Sequence, residues 1–110
     1  MAFTICNNHA TTNGATAVSI VAAPATDEYR IVKTISCYNN DTTGTTFLVL
    51  LVDGATTRIV ASSGSVAAGS SWVWSYPLCL DTVNKSIQIK LTGAKTTNDC
   101  DVTAHYLNEA

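Results

Sequence analysis

Thr45-Thr46-Phe47-Leu48-Val49-Leu50-Leu51-Val52, closed at once by Asp53-Gly54, is the stretch that decides the fold. An apolar run this short, bounded by turn residues, reads as a central strand buried on both faces. Asp-Gly directly after it is a strong hairpin signal. Thr56 to Ala61 is then the return strand, with Arg58 and Val60 alternating against Ile59 and Ala61.

Working outward, Glu28 to Asn39 alternates in the same two-residue period. Tyr29, Ile31, Ile35 and Cys37 fall on one face, and Arg30, Val32, Thr34 and Ser36 on the other. Asn39 to Gly44 is a polar turn. Past the hairpin, Ser62 to Ser70 reads as a permissive loop holding one short strand. Ser71 to Tyr76 puts Trp72, Trp74 and Tyr76 on a single face. Pro77 has no N–H to give a ladder, so it marks an edge or a break. Leu78 to Leu80 is a short apolar piece in which Cys79 reads as core. Ile87, Ile89 and Leu91 make a half-buried strand, and Val102, Ala104 and Tyr106 another, with Thr103 and His105 turned outward. Upstream, Ala17 to Ala22 is β-like, preceded by an Asn13-Gly14 turn and ended by Pro24.

No i, i+3, i+4 pattern lasts long enough for an ordinary helix, and turn signals recur at roughly the 8–12-residue spacing of a sandwich or small barrel. The expectation is an all-β chain: a single antiparallel β-sandwich, jelly-roll or Ig-like Greek key, with an extended N-terminal arm. Residues 1–27 form the arm or edge strand and 28–110 the sandwich domain.

Composition supports this reading and removes several function classes. In 110 residues, hydrophobic side chains make up 46 % and charged ones 13 %, about half the usual charged share. Six Lys and Arg, scattered along a chain of net charge −2, cannot build a strong phosphate-binding face, so no nucleic-acid partner is expected. The apolar fraction argues against disorder. No apolar run approaches the ~20 residues that span a bilayer, so no membrane partner is expected either. Thr, Ser, Asn and Ala stand in for the missing charge, a composition that suits solvated strands better than helices. Met1-Ala2-Phe3-Thr4-Ile5-Cys6-Asn7-Asn8-His9 has neither a basic stretch nor a long apolar one, so a product of the cytoplasm is expected.

The residues that carry chemistry are sparse. A nucleophile needs a base in reach. His9 lies in the polar arm and His105 on a solvent face, and no G-x-S-x-G elbow surrounds any serine, so no catalytic residue and no enzyme is expected. The carboxylates nearly all lie at turns, where Asp shapes backbone. Asn39-Asn40-Asp41 and Asn98-Asp99-Cys100-Asp101 offer oxygen atoms without a calcium-loop register, so neither metal nor cofactor is expected. Gly64 and Gly69 lead into a strand, not the helix a phosphate loop requires. Cys6, Cys37, Cys79 and Cys100 have no metal or redox spacing and read as free, small apolar residues. Were a disulfide to form, Cys6 and Cys100, in polar surroundings, are the pair to expect.

The aromatic stripe is the remaining signal. Trp72, Trp74 and Tyr76 can fill the core, meet another subunit, or stack on a sugar ring. Uncharged Thr- and Ser-rich faces favour contact with neighbours, since few charges need desolvation. Candidate interface residues are Trp72, Trp74, Tyr76 and Arg58, with Phe3 and Ile5 in the arm.

Four pieces of the chain together resemble a family. Arg30-Ile31-Val32-Lys33-Thr34-Ile35-Ser36-Cys37-Tyr38-Asn39 precedes a Thr-rich turn, and Val66-Ala67-Ala68-Gly69-Ser70-Ser71-Trp72 enters a strand. Pro77-Leu78-Cys79-Leu80-Asp81 follows, and then Leu91 to Asn98 leading into Asp101 to Tyr106. In this order, from about Ala23 to Leu107, they resemble small virion proteins of tailed bacteriophages, among them capsid cement (decoration) proteins and neck or tail components. The resemblance implies a structural β-sandwich without enzymatic activity. It implies a place on the virion, reached by assembly in the host bacterial cytoplasm. The partners it implies are the major capsid protein and further copies of the chain, joined as a homotrimer. The alternatives carried with it are a neck or tail part and a carbohydrate-binding module.

Overall fold

The computed structural model describes residues 3–14 and 16–109. They form nine strands: β1 (Phe3–Thr12), β2 (Val18–Val21), β3 (Tyr29–Tyr38), β4 (Thr45–Asp53), β5 (Thr56–Val66), β6 (Ser71–Trp74), β7 (Leu78–Leu80), β8 (Lys85–Leu91) and β9 (Cys100–Glu109). No helix among the described residues is long and apolar enough to cross a membrane.

The strands make two antiparallel sheets. One runs β1-β9-β3-β6, with β7 following β6 along the same edge of β3, and the other runs β2-β8-β4-β5. Taking β6 and β7 as one interrupted strand, the orders become 1-8-3-6 and 2-7-4-5. That is the double Greek key of a jelly roll, which decides between the two sandwich topologies expected from the sequence.

The apolar run at 45–52 takes the place its composition predicts. Strand β4 lies between β8 and β5, with Phe47, Val49 and Leu50 buried. Its hairpin with β5 turns through Gly54-Ala55, with Asp53 opposite Thr56. Phe47 and Val49 meet Ile87, Ile89 and Leu91 of β8 and Val102 and Ala104 of β9 in one core between the sheets. The chain before Glu28 supplies an edge strand to each sheet, β1 and β2, and Ile20 and Val21 of β2 are core residues.

Three places depart from strict alternation. In β3 a bulge at Lys33 sets Val32 opposite Tyr106 and Thr34 opposite His105. The extra residue changes which side chains face in, so Val32 is buried along with Ile35 and Cys37, while Tyr29 and Ile31 are half-buried. The single-face grouping of Tyr29 and Ile31 with Ile35 and Cys37 is therefore corrected. In β5 the strand runs on to Val66 through the serine-rich stretch expected to be mostly loop. Ser63 and Gly64 bulge there opposite Phe47, whose N–H donates to Ser63 Oγ at 2.9 Å; Gly64 holds φ at 68°, the left-handed value such a bulge takes. In β7, alternation around buried Leu80 sends Cys79 to solvent, so it is not core.

The Asn13-Gly14 turn is pinned against the loop after β8. Leu91 N–H donates to the Gly14 carbonyl and Lys95 N–H to that of Asn13, both at 2.9 Å. A Cβ on Gly14 would lie 2.5 Å from Ala94 Cα, and its φ of 135° suits glycine.

Candidate interaction surface

The sandwich carries its open seam where β5, the last strand of one sheet, faces β6 and β7, the last of the other. Between them runs a groove of about 690 Å³, lined by Val60, Ala61, Ser62, Trp72, Val73 and Tyr76 together with Trp74, Pro77 and Leu78. Its shape follows from two local irregularities. A second bulge in β5 sets Ala61 opposite Val49 and Ile59 opposite Leu50, which leaves Val60 unpaired. Pro77 then separates β6 from β7, so Ser75-Tyr76 leaves the sheet.

The aromatic stripe is consequently divided. Trp74 is 8 % exposed and belongs to the core, Trp72 is half-buried against it, and Tyr76 is 70 % exposed. The Trp74 and Tyr76 rings still meet, with centroids 6.0 Å apart and planes tilted by 49°. Three rings on one exposed face, as a sugar platform needs, are not formed. Val73, between the tryptophans, is the more exposed apolar residue of β6 at 54 %, and Val60 faces solvent across the groove. Alternation with Trp72 and Trp74 turns Val73 outward, but no local signal shows that Val73 and Val60, from different sheets, border one groove. Arg58 is exposed on β5 beyond the groove. Phe3 and Ile5 stand on β1, at the opposite edge of their sheet. The structure therefore separates the six candidates into a seam group, an isolated Arg58 and an edge pair.

The histidines face the outside of the β1-β9 pair and bind its polar side chains. His9 Nδ1 lies 3.1 Å from Thr103 Oγ1 and His9 Nε2 3.7 Å from Asp101, while His105 Nδ1 lies 2.6 Å from Asn7 Oδ1. Such pairs orient imidazoles across neighbouring strands.

Asn39 and Asp41 serve the fold. The Asn39 amide donates to the carbonyls of Thr43 (2.9 Å) and Val66 (2.8 Å), and its oxygen accepts from Asp41 N–H (3.0 Å) and the Cys100 thiol (3.5 Å). The Asp41 carboxylate accepts from the backbone N–H groups of Thr96 (2.7 Å), Thr97 (2.8 Å), Asn98 (3.1 Å) and Thr42 (2.8 Å). These bonds, Thr96 foremost, hold its carboxyl well below the usual carboxylate range against a smaller opposing effect of burial. The side-chain oxygens of Asn39 and Asp41 thus bind the chain's own loops. No group of three or more His, Cys, Asp or Glu able to hold a metal occurs among the described residues.

The cysteines divide by burial. Cys37 and Cys100 are buried, Cys6 is half-buried and Cys79 exposed. Burial pushes the Cys37 thiol up to about 12, with Cys100 adding to the rise, and burial also raises that of Cys100. Cys100 pairs with Thr12 at one end of the β1-β9 ladder and Cys6 with Tyr106 well along it, so the Cys6–Cys100 disulfide is out of reach. Cys100 begins an inward-facing row, which its polar sequence neighbours hid.

With this geometry in hand, the fold can be placed among known ones. No family model matches the chain, and no curated protein does. Solved structures share the fold. A chain of the acid-stable capsid of Helicobacter pylori bacteriophage KHP30 superposes with a TM-score of 0.68 at 14 % identity, covering 99 % of this chain and 89 % of its own. A chain of the cyanophage Pam1 capsid asymmetric unit gives 0.56 at 16 % identity, covering 96 % and 83 %. A chain from Bacillus endospore appendages, described as disulfide-linked pili, gives 0.57 at 18 % identity, covering 99 % and 87 %. All three are structures of assemblies. At these identities the likeness is one of fold.

Proposed function

We propose that this chain is a structural component of a tailed-phage virion, a capsid cement (decoration) protein that binds and stabilises junctions between major capsid proteins. The observation that carries the reading is the match, over 99 % of the chain, to a chain within a phage capsid. The sequence resemblance supports it independently. The open seam supplies the physics: exposed Val60, Val73 and Tyr76 beside a groove with few charges to desolvate suit a partner's apolar side chains. Repetition over a shell turns modest contacts into avidity. The chain acts by contact area, not catalysis. Assembly takes place in the host cytoplasm, and the virion capsid is its location. The homotrimer closes through the seam, on the side of the sandwich away from β1.

The test is occupancy. Purified chain is added to shells of the encoding phage that lack it, and the particles are reconstructed. Density repeated over the whole shell is expected. A single ring at the portal vertex would replace the cement role with a neck or tail role, and no bound density would overturn the virion reading.

A further inference from the structure

A jelly roll leaves four strand edges open, and three of them here carry features that block further pairing. Strand β2 has only four residues. The β6-β7 edge is interrupted at Pro77 into pieces of four and three residues. Strand β5 is long, but two bulges break its ladder and Arg58 stands on it. Strand β1 carries none of these features. Its ten residues pair with β9 in unbroken register, without proline or bulge, and none is Asp, Glu, Lys or Arg. Its other edge has no strand partner among the described residues. Ile5 is 81 % exposed on it and Phe3 is exposed as well.

We propose that this edge seats a second copy of the chain. Two β1 strands pair antiparallel about a two-fold axis and join two five-stranded sheets into one. The unpaired N–H and C=O groups of an edge strand call for an extended strand, and the charge pattern selects which one. A two-fold axis sets each residue of the strand opposite another position of the same strand, and a strand with no Asp, Glu, Lys or Arg meets no like charge in any such register. The carboxylates of the neighbouring strand β9, Asp101 and Glu109, sit one strand further in, opposite Thr11 and Phe3, and Asp101 lies 3.7 Å from His9 Nε2. A head-to-tail contact from β1 to the β6-β7 edge of another copy would break its ladder at Pro77, where no N–H is available. The inference goes beyond the shell reading and does not depend on it, because it concerns the isolated chain and the side of the sandwich opposite the seam.

The test measures mass by light scattering over a wide concentration range for the chain itself, Ile5→Lys and Val73→Lys. The expected result is an assembly whose mass Ile5→Lys halves, since loss of the two-fold contact splits a dimer or a dihedral assembly into two equal parts. Val73→Lys is expected to retain that contact. In parallel, amide exchange is expected to show the N–H groups of β1 that point away from β9 protected in the chain itself and unprotected in Ile5→Lys, with those bonded to β9 and the remaining strands unchanged in both, which separates lost pairing from lost folding. A monomer at all concentrations, a mass that Ile5→Lys leaves unchanged, or open-ended growth blocked equally by Val73→Lys would overturn the proposal. Particle occupancy is read separately, so the shell reading can fail or stand on its own.

Discussion

The loop cluster around Asn39 and Asp41 and the seam between β5 and β6 handle surface in opposite ways. In the cluster, polar groups are buried and used: Asn39 is fully buried with four hydrogen bonds, and both oxygens of Asp41 hold backbone N–H groups. In the seam, apolar groups are exposed and unused, Tyr76 and Val73 above all. Buried and satisfied polar groups specify one loop arrangement, because leaving any of them unpaired is costly. Exposed apolar groups contribute little to the fold of an isolated chain and can contribute a great deal once covered. One region spends its polar groups on the chain itself, and the other leaves apolar area open to solvent.

Substitutions can break that contrast. The largest effect is expected at Asn39→Ala, which strands the carbonyls of Thr43 and Val66 in a buried site. A loss of about 3 kcal/mol, read by urea unfolding, is the expected size. Next comes the pH limb of Asp41. Its carboxyl is held below its unfolded value, so its contribution is fully present above the ordinary Asp range of about pH 4 and is lost as the pH falls through and below it. Melting temperature should therefore drop on acidification in the chain itself. Asp41→Asn should be less stable at neutral pH and show a flatter acid limb. An equally steep limb in the variant would remove Asp41 from its proposed role.

Gly14→Ala tests the other pinned turn. It forces a Cβ against Ala94 at a left-handed φ, and a loss of about 2 kcal/mol is expected by the same measurement. In the seam the order inverts. Tyr76→Ala and Val73→Lys are each expected to change stability by less than about 0.5 kcal/mol while lowering particle occupancy. Trp72→Ala is a poorer probe, because Trp72 also packs on the core and its loss would lower stability together with binding. The smallest perturbation is a thiol count: Cys79 and then Cys6 should react with an aromatic disulfide reagent in the folded chain, and Cys37 and Cys100 only after unfolding.

How much of this was legible varies by element. The hairpin at Asp53-Gly54, the buried run of β4 and the inward rows of β8 and β9 follow from local composition and a period of two, and the structure keeps them. The faces of Tyr29 and Ile31 were not legible, because Lys33 gives no local sign that it will bulge. The extra residue is set by pairing with β9, more than seventy positions away in the chain. The site was legible in its residue types and not in its arrangement. Trp72, Trp74 and Tyr76 mark a segment that lines the groove, yet Pro77 and the opposing sheet decide that Trp74 turns inward and Tyr76 outward.

That this chain is all-β and sparsely charged is written in its residues alone, since composition and alternation are properties of neighbours in the chain. The jelly-roll order of the sheets, the loop lock at Asp41, the open seam and the place of β1 at a sheet edge arise only in the folded chain. Each of those depends on which distant strands meet, and on a bulge or proline being accommodated there. Such pairings carry no signature in any short stretch of residues.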